Sequence, residues 1–306
     1  MLKRTLTGSV IFLITALAIM SRSISIYFFD LFVMIVSFVA TYELIKVNLV
    51  EEQKINLPIK NTSYAYLPLV YCYLCYACYS FAETVTYAII YQILAFLALF
   101  LIAFIVDLIY LKNARKLGIE IEEQYLLRGT KVTAKIMLYP ITLLGTLYGF
   151  GISGSSIVLG TVLVLTVFLI TMATDVFAYL FGMAFHKGVL ASQISPKKSI
   201  SGAIGGIFGG IIAAAGVFLV CYFALETSPF VGYSLTEVIT FFSLAGVFGS
   251  LFTQMGDLIA SAIKRRVGIK DYGKLFPGHG GMMDRVDGLC FTSTLIFILA
   301  VIIFFI

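Results

Sequence analysis

Residues 156–185 read SIVLGTVLVLTVFLITMATDVFAYLFGMAF and contain one charged side chain, that of Asp175. A helix that crosses a bilayer needs about 20 consecutive apolar residues. The stretch is therefore long enough to span a membrane. A carboxylate inside such a run is costly unless it faces a partner or a water-filled cavity, so Asp175 is a candidate functional residue. A packing hydrogen bond between helices is the alternative role.

Similar apolar runs lie on both sides of this stretch. The chain is 60% hydrophobic and 12% charged, with a mean hydropathy of +1.03, whereas soluble domains are about 25% charged. This composition excludes a soluble globular enzyme. We expect an all-α, polytopic transmembrane protein of about nine spans that forms a single integral membrane domain over residues 1–306. The runs are 7–21, 23–46, 64–82, 85–111, 134–152, 156–185, 202–225, 236–256 and 288–306.

Lys and Arg divide unevenly between the segments that separate these runs. Twenty of the 21 basic residues lie in alternate segments, counted from the N-terminus, and only Arg22 lies in the others. Because Lys and Arg stay on the cytoplasmic side, this division predicts a cytoplasmic N-terminus. The basic face suits contact with anionic lipid or collection of an anionic substrate. Short loops without a recognition fold argue against a nucleic-acid partner.

The first run leaves one alternative open. It is short and follows Lys3 and Arg4, two features that it shares with a signal peptide. We interpret it as a span that pairs with the second run.

Two other patterns favour helix packing over chemistry. The string Cys72, Cys75 and Cys78 lies inside an apolar run and is typical of small apolar side chains rather than of an iron–sulfur site. A stripe of small residues lets helix backbones approach closely in lipid. The stripe is formed by Gly202, Gly206 and Gly210, and packing is also the role we assign to the acids Asp30, Glu43 and Asp107.

The most polar stretch, residues 254–288, reads QMGDLIASAIKRRVGIKDYGKLFPGHGGMMDRVDG. Carboxylates at a membrane edge suit Mg²⁺, which prefers oxygen ligands. Lys and Arg donate to phosphate oxygens, and glycines let backbone N–H groups approach an anion. The stretch predicts a phosphoryl- or nucleotidyl-transfer site, and an ordinary basic loop with salt bridges is the alternative. Helical spacing places four residues on one face of a helix, namely Asp257, Ser261, Lys264 and Arg265. It places Asp284 and Asp287 on one face of the last helix, in its first turn.

The stretch resembles the signature of the phosphatidate cytidylyltransferase (CDP-diacylglycerol synthase) family. Every fixed position of that signature fits, and the resemblance is firm from about residue 170 to 288 and weak before residue 130. Residues 1–130 are thus less typical spans, and residues 131–306 are the catalytic spans. The matching residues are Ser261, Lys264-Arg265, Lys270-Asp271, Gly273, Phe276-Pro277, His279-Gly280-Gly281, Asp284-Arg285 and Asp287, with Asp175 and Ser195-Pro196-Lys197-Lys198 upstream.

The chain departs from the family pattern at two places. Members often have Phe-Gly-Lys where this chain has Phe185-His186-Lys187. The segment Ser199-Ile200-Ser201-Gly202 lacks an acidic residue that is common in the family. The second departure puts any role for that acid in doubt.

The resemblance implies transfer of CMP from CTP to phosphatidate, which gives CDP-diacylglycerol and pyrophosphate. It implies that Asp257, Asp284 and Asp287 bind Mg²⁺, with a second metal ion left open. The other roles it implies are phosphate binding by Ser261, Lys264, Arg265, Lys270 and Arg285, a nucleotide loop of His279, Gly280 and Gly281, and CTP or headgroup binding near Asp175, Ser195, Lys197 and Lys198.

The same resemblance implies partners and a location. CTP, phosphatidate and membrane lipid are the expected partners, the plasma membrane is the expected location, and a homodimer is left open. The alternatives are a related CTP-dependent lipid transferase, such as a polyprenol kinase or an archaeal ether-lipid cytidylyltransferase, and an ion-coupled transporter.

Overall fold

The computed structural model describes residues 2–55, 63–119, 127–152, 157–185, 187–191, 193–224 and 229–305. His186, the first departure noted above, lies outside these residues. Within these residues, the nine apolar runs fall mostly on helical structure. The helices are α1 (Leu2–Met20), α2 (Ile26–Ile55), α3 (Ser63–Ser80), α4 (Val85–Lys116), α5 (Arg128–Ile136), α6 (Leu143–Gly149), α7 (Ile157–Phe185), α8 (Ile200–Leu219), α9 (Leu235–Val267) and α10 (Met283–Ala300).

These helices make the chain an all-α membrane protein. Within the described residues, six helical segments are long and apolar enough to cross a bilayer, and a shorter apolar helix covers Thr7–Ser23. The number of crossings and the side on which the N-terminus lies stay predictions. The six segments are Ile26–Asn48, Val85–Lys116, Ile157–Phe185, Ile200–Phe223, Leu235–Val267 and Met283–Phe304.

The fifth apolar run is helical but bent. An irregular turn, Met137–Thr142, separates α5 from α6, and within it Tyr139 has non-helical angles of φ −129° and ψ 114°. Pro140 follows directly and cannot donate a backbone hydrogen bond, which accounts for the break in the helix.

The glycine stripe of α8 packs as predicted. A Cβ added at Gly202 would lie 2.8 Å from the Ala178 carbonyl oxygen of α7, and one added at Gly210 would lie 2.8 Å from the Gly246 carbonyl oxygen of α9. Side chains at these positions would push the helices apart. The packing role of the stripe is confirmed, and it joins α7, α8 and α9 into one closely packed layer.

A two-stranded hairpin interrupts the helical pattern between α7 and α8. Strand β1 (Val189–Ala191) pairs antiparallel with β2 (Ser195–Ser199). The all-α description therefore needs this small correction. The Ser199 side chain accepts a hydrogen bond of 3.0 Å from the Gly202 N–H and begins α8. The hairpin thereby brings Lys197 and Lys198 to the shared end of α7 and α8.

The cysteine string is packed inside the bundle. Cys72 and Cys75 are buried, and the Gln92 side chain donates a hydrogen bond of 3.1 Å to the sulfur of Cys75. All five cysteines are free thiols. Among the described residues these contacts are those of packed side chains, as expected.

Candidate active site

The segment between α9 and α10 forms a loop held by two glycine-dependent turns. Gly268 ends α9 in a left-handed conformation with φ 77°. Farther along, the Phe276 N–H donates to the Gly280 carbonyl at 2.9 Å and the His279 N–H donates to the Phe276 carbonyl at 2.9 Å. Gly280 also has a positive φ of 81°, which glycine adopts without steric cost. The loop therefore closes back onto the start of α10.

Asp284 is the buried anchor of this loop. One carboxylate oxygen accepts a hydrogen bond from Lys264 Nζ at 2.8 Å. The other accepts from the backbone N–H of Tyr272 at 2.8 Å and from that of Gly281 at 2.9 Å. Lys264 and Asp284 are thus both engaged with protein groups, and together they tie α9, the loop and α10 into one unit.

Tyr272 fixes the other side of the loop. Its hydroxyl donates to the Ala260 carbonyl of α9 at 3.0 Å. Burial raises the pKa of Tyr272, and the charges of Asp287 and Asp284 raise it further. The phenol therefore stays neutral and keeps the proton that it donates to α9.

A second group of charges lies beside this anchor. Asp257 forms an ion pair with Lys198 of β2 and accepts a hydrogen bond from Ser261, one turn farther along α9, at 3.3 Å. The side chains of Lys198 and Asp257 are 27% and 36% exposed, so solvent or a ligand can reach the pair. The predicted common face of Asp257 and Ser261 is confirmed.

Three carboxylates share this region. Asp175 of α7 and Asp287 of α10 both lie close enough to Asp257 for their negative charges to interact. The positive charges of Lys198 and Arg285 act on Asp175. We call Asp175, Asp257, Asp287, Lys198 and Arg285 the charge cluster. It gathers acids and bases from α7, α9, the first two turns of α10 and the hairpin.

The donors of the charge cluster suit a hard cation that is shared with a substrate. In the described part of the chain, no three acidic, His or Cys side chains are placed to hold a metal ion by themselves. Mg²⁺ in phosphoryl-transfer sites is commonly held by one or two carboxylates together with substrate phosphates and water. Asp257 and Asp287 supply such oxygen donors, so the residues present fit Mg²⁺ that arrives with a nucleotide.

Of the remaining residues predicted for the site, some make contacts within the protein and others are exposed at its surface. The Arg265 guanidinium donates to the Ile194 carbonyl at 3.2 Å and to the Ile269 carbonyl at 3.5 Å, so it links the hairpin to α9. His279 is partly buried, and its ring lies near Gly8 of α1. Lys197, Lys270 and Arg285 are exposed, and Ser195 is half-buried in β2.

Comparison with known proteins adds the family. Residues 2–303 match the model of the Cytidylyltransferase family. The chain belongs to the cytidylyltransferase family. The chain is similar to the phosphatidate cytidylyltransferase of Staphylococcus aureus (strain COL), with 38% identity over 138 residues, which are 45% of this chain and 48% of that protein.

Relatives in two mycobacteria are similar over a shorter part. The phosphatidate cytidylyltransferases of Mycobacterium bovis and Mycobacterium tuberculosis are each 41% identical over 118 residues, or 39% of this chain. The matched part covers 34% and 32% of those two proteins. The match therefore spans about half the length of the staphylococcal relative and about a third of the mycobacterial ones.

One contact beside the site was missed by the sequence analysis. Glu43 of α2, assigned above to helix packing, reaches the start of α10 and accepts hydrogen bonds from the N–H groups of Met282 at 3.1 Å and Met283 at 2.9 Å. The only signal in the sequence is an acid within an apolar run, and Asp30 and Asp107 share it. Asp107 does have the expected packing role, since it accepts hydrogen bonds of 2.7 Å from the N–H and hydroxyl groups of Thr130.

Proposed function

We propose that this cytidylyltransferase transfers CMP from CTP to phosphatidate, releasing pyrophosphate and forming CDP-diacylglycerol. The observation that carries the proposal is the charge cluster, in which Lys198 pairs with Asp257 and the charges of Asp175, Asp287 and Arg285 lie close enough to interact with this group. The family match and the names of the relatives agree with it. We further propose that the helices make about nine crossings, with a cytoplasmic N-terminus and the charge cluster at the cytoplasmic face of the plasma membrane.

The main barrier to this reaction is electrostatic. The attacking lipid phosphate and the triphosphate are both anions, so they repel each other as they approach. Lys198 and Arg285 place positive charge beside the carboxylates, where it can meet phosphate oxygens. Because a phosphate monoester is already ionised at neutral pH, the acceptor needs no general base. The proposed site therefore works chiefly by binding and orienting charge.

Asp257 and Asp287 are the residues that we propose hold Mg²⁺, with Asp284 as the third member of the predicted set. Bound Mg²⁺ would neutralise charge on the α-phosphate and on the leaving pyrophosphate. In the structure the Asp284 oxygens accept from Lys264 and from two backbone N–H groups. We therefore assign Asp284 and Lys264 a second task, which is to hold the loop beside the charge cluster.

The lipid partner fits the placement of the charge cluster. Asp175 lies ten residues before the end of α7 and is exposed, while its neighbours on that helix are mostly apolar. A headgroup at this depth could reach polar side chains while its acyl chains stay in hydrocarbon. The proposed substrate is thus a lipid phosphate that reaches the charge cluster from the bilayer.

The proposed reaction can be tested with two forms of labelled CTP and purified protein in lipid nanodiscs. With phosphatidate and Mg²⁺, label at the α-phosphorus should enter the lipid, and label at the γ-phosphorus should be released as pyrophosphate. Chelation of Mg²⁺ should stop both. Transfer of γ-label to a polyprenol would instead identify a kinase. Ion flux in liposomes without CTP turnover would favour a transporter, and either result would contradict the proposal.

A substitution at Lys198 separates the charge cluster from general basic charge. Lys198→Ala removes the ion-pair partner of Asp257 and leaves Arg285 alone to offset the mutual repulsion of the carboxylates. We expect turnover to fall about tenfold. Lys187→Ala, which removes an exposed lysine at the base of the same hairpin, should leave turnover unchanged. Equal losses in the two variants would show that only the overall basic charge of this face matters.

A further inference from the structure

Glu43 accepts hydrogen bonds from backbone N–H groups at the start of α10 that have no acceptor within the helix. The first N–H groups of a helix lack partners within the helix, and Met282, the residue that precedes α10, provides no side-chain cap. The Glu43 carboxylate accepts from the N–H groups of Met282 and Met283. A negative charge at a helix N-terminus is also favourable to the helix dipole. The cap of α10 is thus supplied by α2, from the other half of the chain.

Two glycines of the loop leave room for this carboxylate. A Cβ added at Gly281 would overlap both carboxylate oxygens of Glu43, and one added at Gly273 would overlap one oxygen and the carboxyl carbon of the same group. At each position the three nearest atoms all belong to Glu43. Neither glycine has a positive φ, so backbone conformation does not require glycine there. Space for Glu43 is the physical reason for both.

The cap acts on the first turn of α10, which carries or precedes two of the acidic residues of the site. Met283 is the first residue of α10, Asp284 is the second, and Asp287 lies one turn farther along. The direction of this first turn therefore decides where the Asp287 carboxylate points. An error of about 1 Å in such a placement can cost on the order of 100-fold in rate.

We propose that Glu43 is a positioning residue for the charge cluster. Its carboxylate, packed against Gly273 and Gly281, holds the start of α10 so that Asp284 and Asp287 point correctly. The proposal rests on the proposed function for its kinetic part only. It also assigns part of the site to α2, one of the N-terminal helices.

The first test is a double-mutant cycle on turnover. Glu43→Ala and Gly281→Ala should each lower kcat at saturating CTP about 10- to 100-fold, with a smaller change in KM. The three atoms nearest to the added methyl group of Gly281→Ala all belong to Glu43, so in the Glu43→Ala background the substitution should cost little more. We expect the double variant to match the worse single variant. Losses that simply multiply would overturn the proposal.

The second test does not depend on catalysis. Amide hydrogen exchange of residues 268–283 should speed up in Glu43→Gln, which keeps the side-chain volume but can accept only one of the two N–H bonds. Asp107→Asn is the matched control, because it removes another buried carboxylate that caps a helix. It should leave exchange in 268–283 and kcat unchanged. Should Glu43→Ala fail to fold, Glu43→Gln serves in both tests.

The outcomes separate the two proposals. If the unmodified protein makes no CDP-diacylglycerol, the proposed function fails, while the exchange test still reports on Glu43. If the protein is active but exchange in 268–283 is the same in Glu43→Gln as in the unmodified protein, the positioning role fails. Faster exchange with unchanged turnover would also overturn it, because the charge cluster would then not need the clamp.

Discussion

Asp257→Asn is expected to reduce CMP transfer about 1000-fold or more, while the protein still inserts and folds. The substitution keeps the shape of the side chain and can keep the Ser261 hydrogen bond. It removes the negative charge that pairs with Lys198 and that we propose holds Mg²⁺. Loss of one charge-stabilising group in a transition state commonly costs about 100- to 1000-fold, and loss of a metal ligand costs more. The measurement is the initial rate of CDP-diacylglycerol formation.

A matched control lies on the same helix. Glu237→Gln makes the same chemical change 20 residues earlier in α9, which is about 30 Å away along the helix axis. Glu237 is exposed and belongs to the capping box with Ser234. We expect this variant to be as active as the unmodified protein. Near-normal turnover in Asp257→Asn, or a comparable loss in Glu237→Gln, would remove Asp257 from the proposed site.

Asp284→Ala is expected to give the largest loss of stability, about 3–5 kcal/mol in the free energy of unfolding. The side chains of Lys264 and Asp284 are only 11% and 4% exposed, so the variant leaves an ammonium group buried without its partner. It also leaves the N–H groups of Tyr272 and Gly281 without their acceptor. The change can be measured as a shift in reversible denaturation in mixed micelles.

A double substitution distinguishes burial of charge from loss of the loop anchor. Lys264→Met combined with Asp284→Leu removes both charges, so it should recover part of the unfolding free energy that Asp284→Ala loses. Turnover should be lost in both Asp284→Ala and the double variant, because nothing then holds the loop beside the charge cluster. An Asp284→Ala protein as stable as the unmodified one would contradict the anchor role.

The helices could be predicted because their signal is local. Each apolar run specifies a helix by its own composition, whatever the other runs do. The helical spacing of Asp257 and Ser261 was equally local, and both side chains do meet. The packing role of the glycine stripe was also predictable, because small residues four positions apart share a helix face whichever neighbouring helix packs there.

The hairpin could not be predicted in the same way. Strand β2 has the sequence SPKKS, which shows no alternation of polar and apolar residues and contains a proline. Its pairing with β1 is set by the closely packed ends of α7 and α8 rather than by strand propensity. The ion pair of Lys198 with Asp257 depends on that hairpin, so it could not be predicted from the sequence either.

Which side chains of the site bind each other was the property least predictable from the sequence. Lys264 and Asp284 have the residue types of a phosphate donor and a metal ligand, and nothing within the signature shows that they bind each other. Glu43 is separated from its two backbone partners by 239 and 240 positions. No periodicity extends that far, so an acid with this task could not be told apart from Asp107, which only caps α5.

That separation has a consequence for biogenesis. Translation delivers Glu43 to the membrane long before the amides of Met282 and Met283 leave the ribosome. During this interval α2 holds a carboxylate whose acceptor sites have no donors from α10, and the loop before α10 does not yet exist. A nascent chain halted before α10 therefore has the acceptor Glu43 but neither of its backbone donors, and it also lacks Asp284 and Asp287.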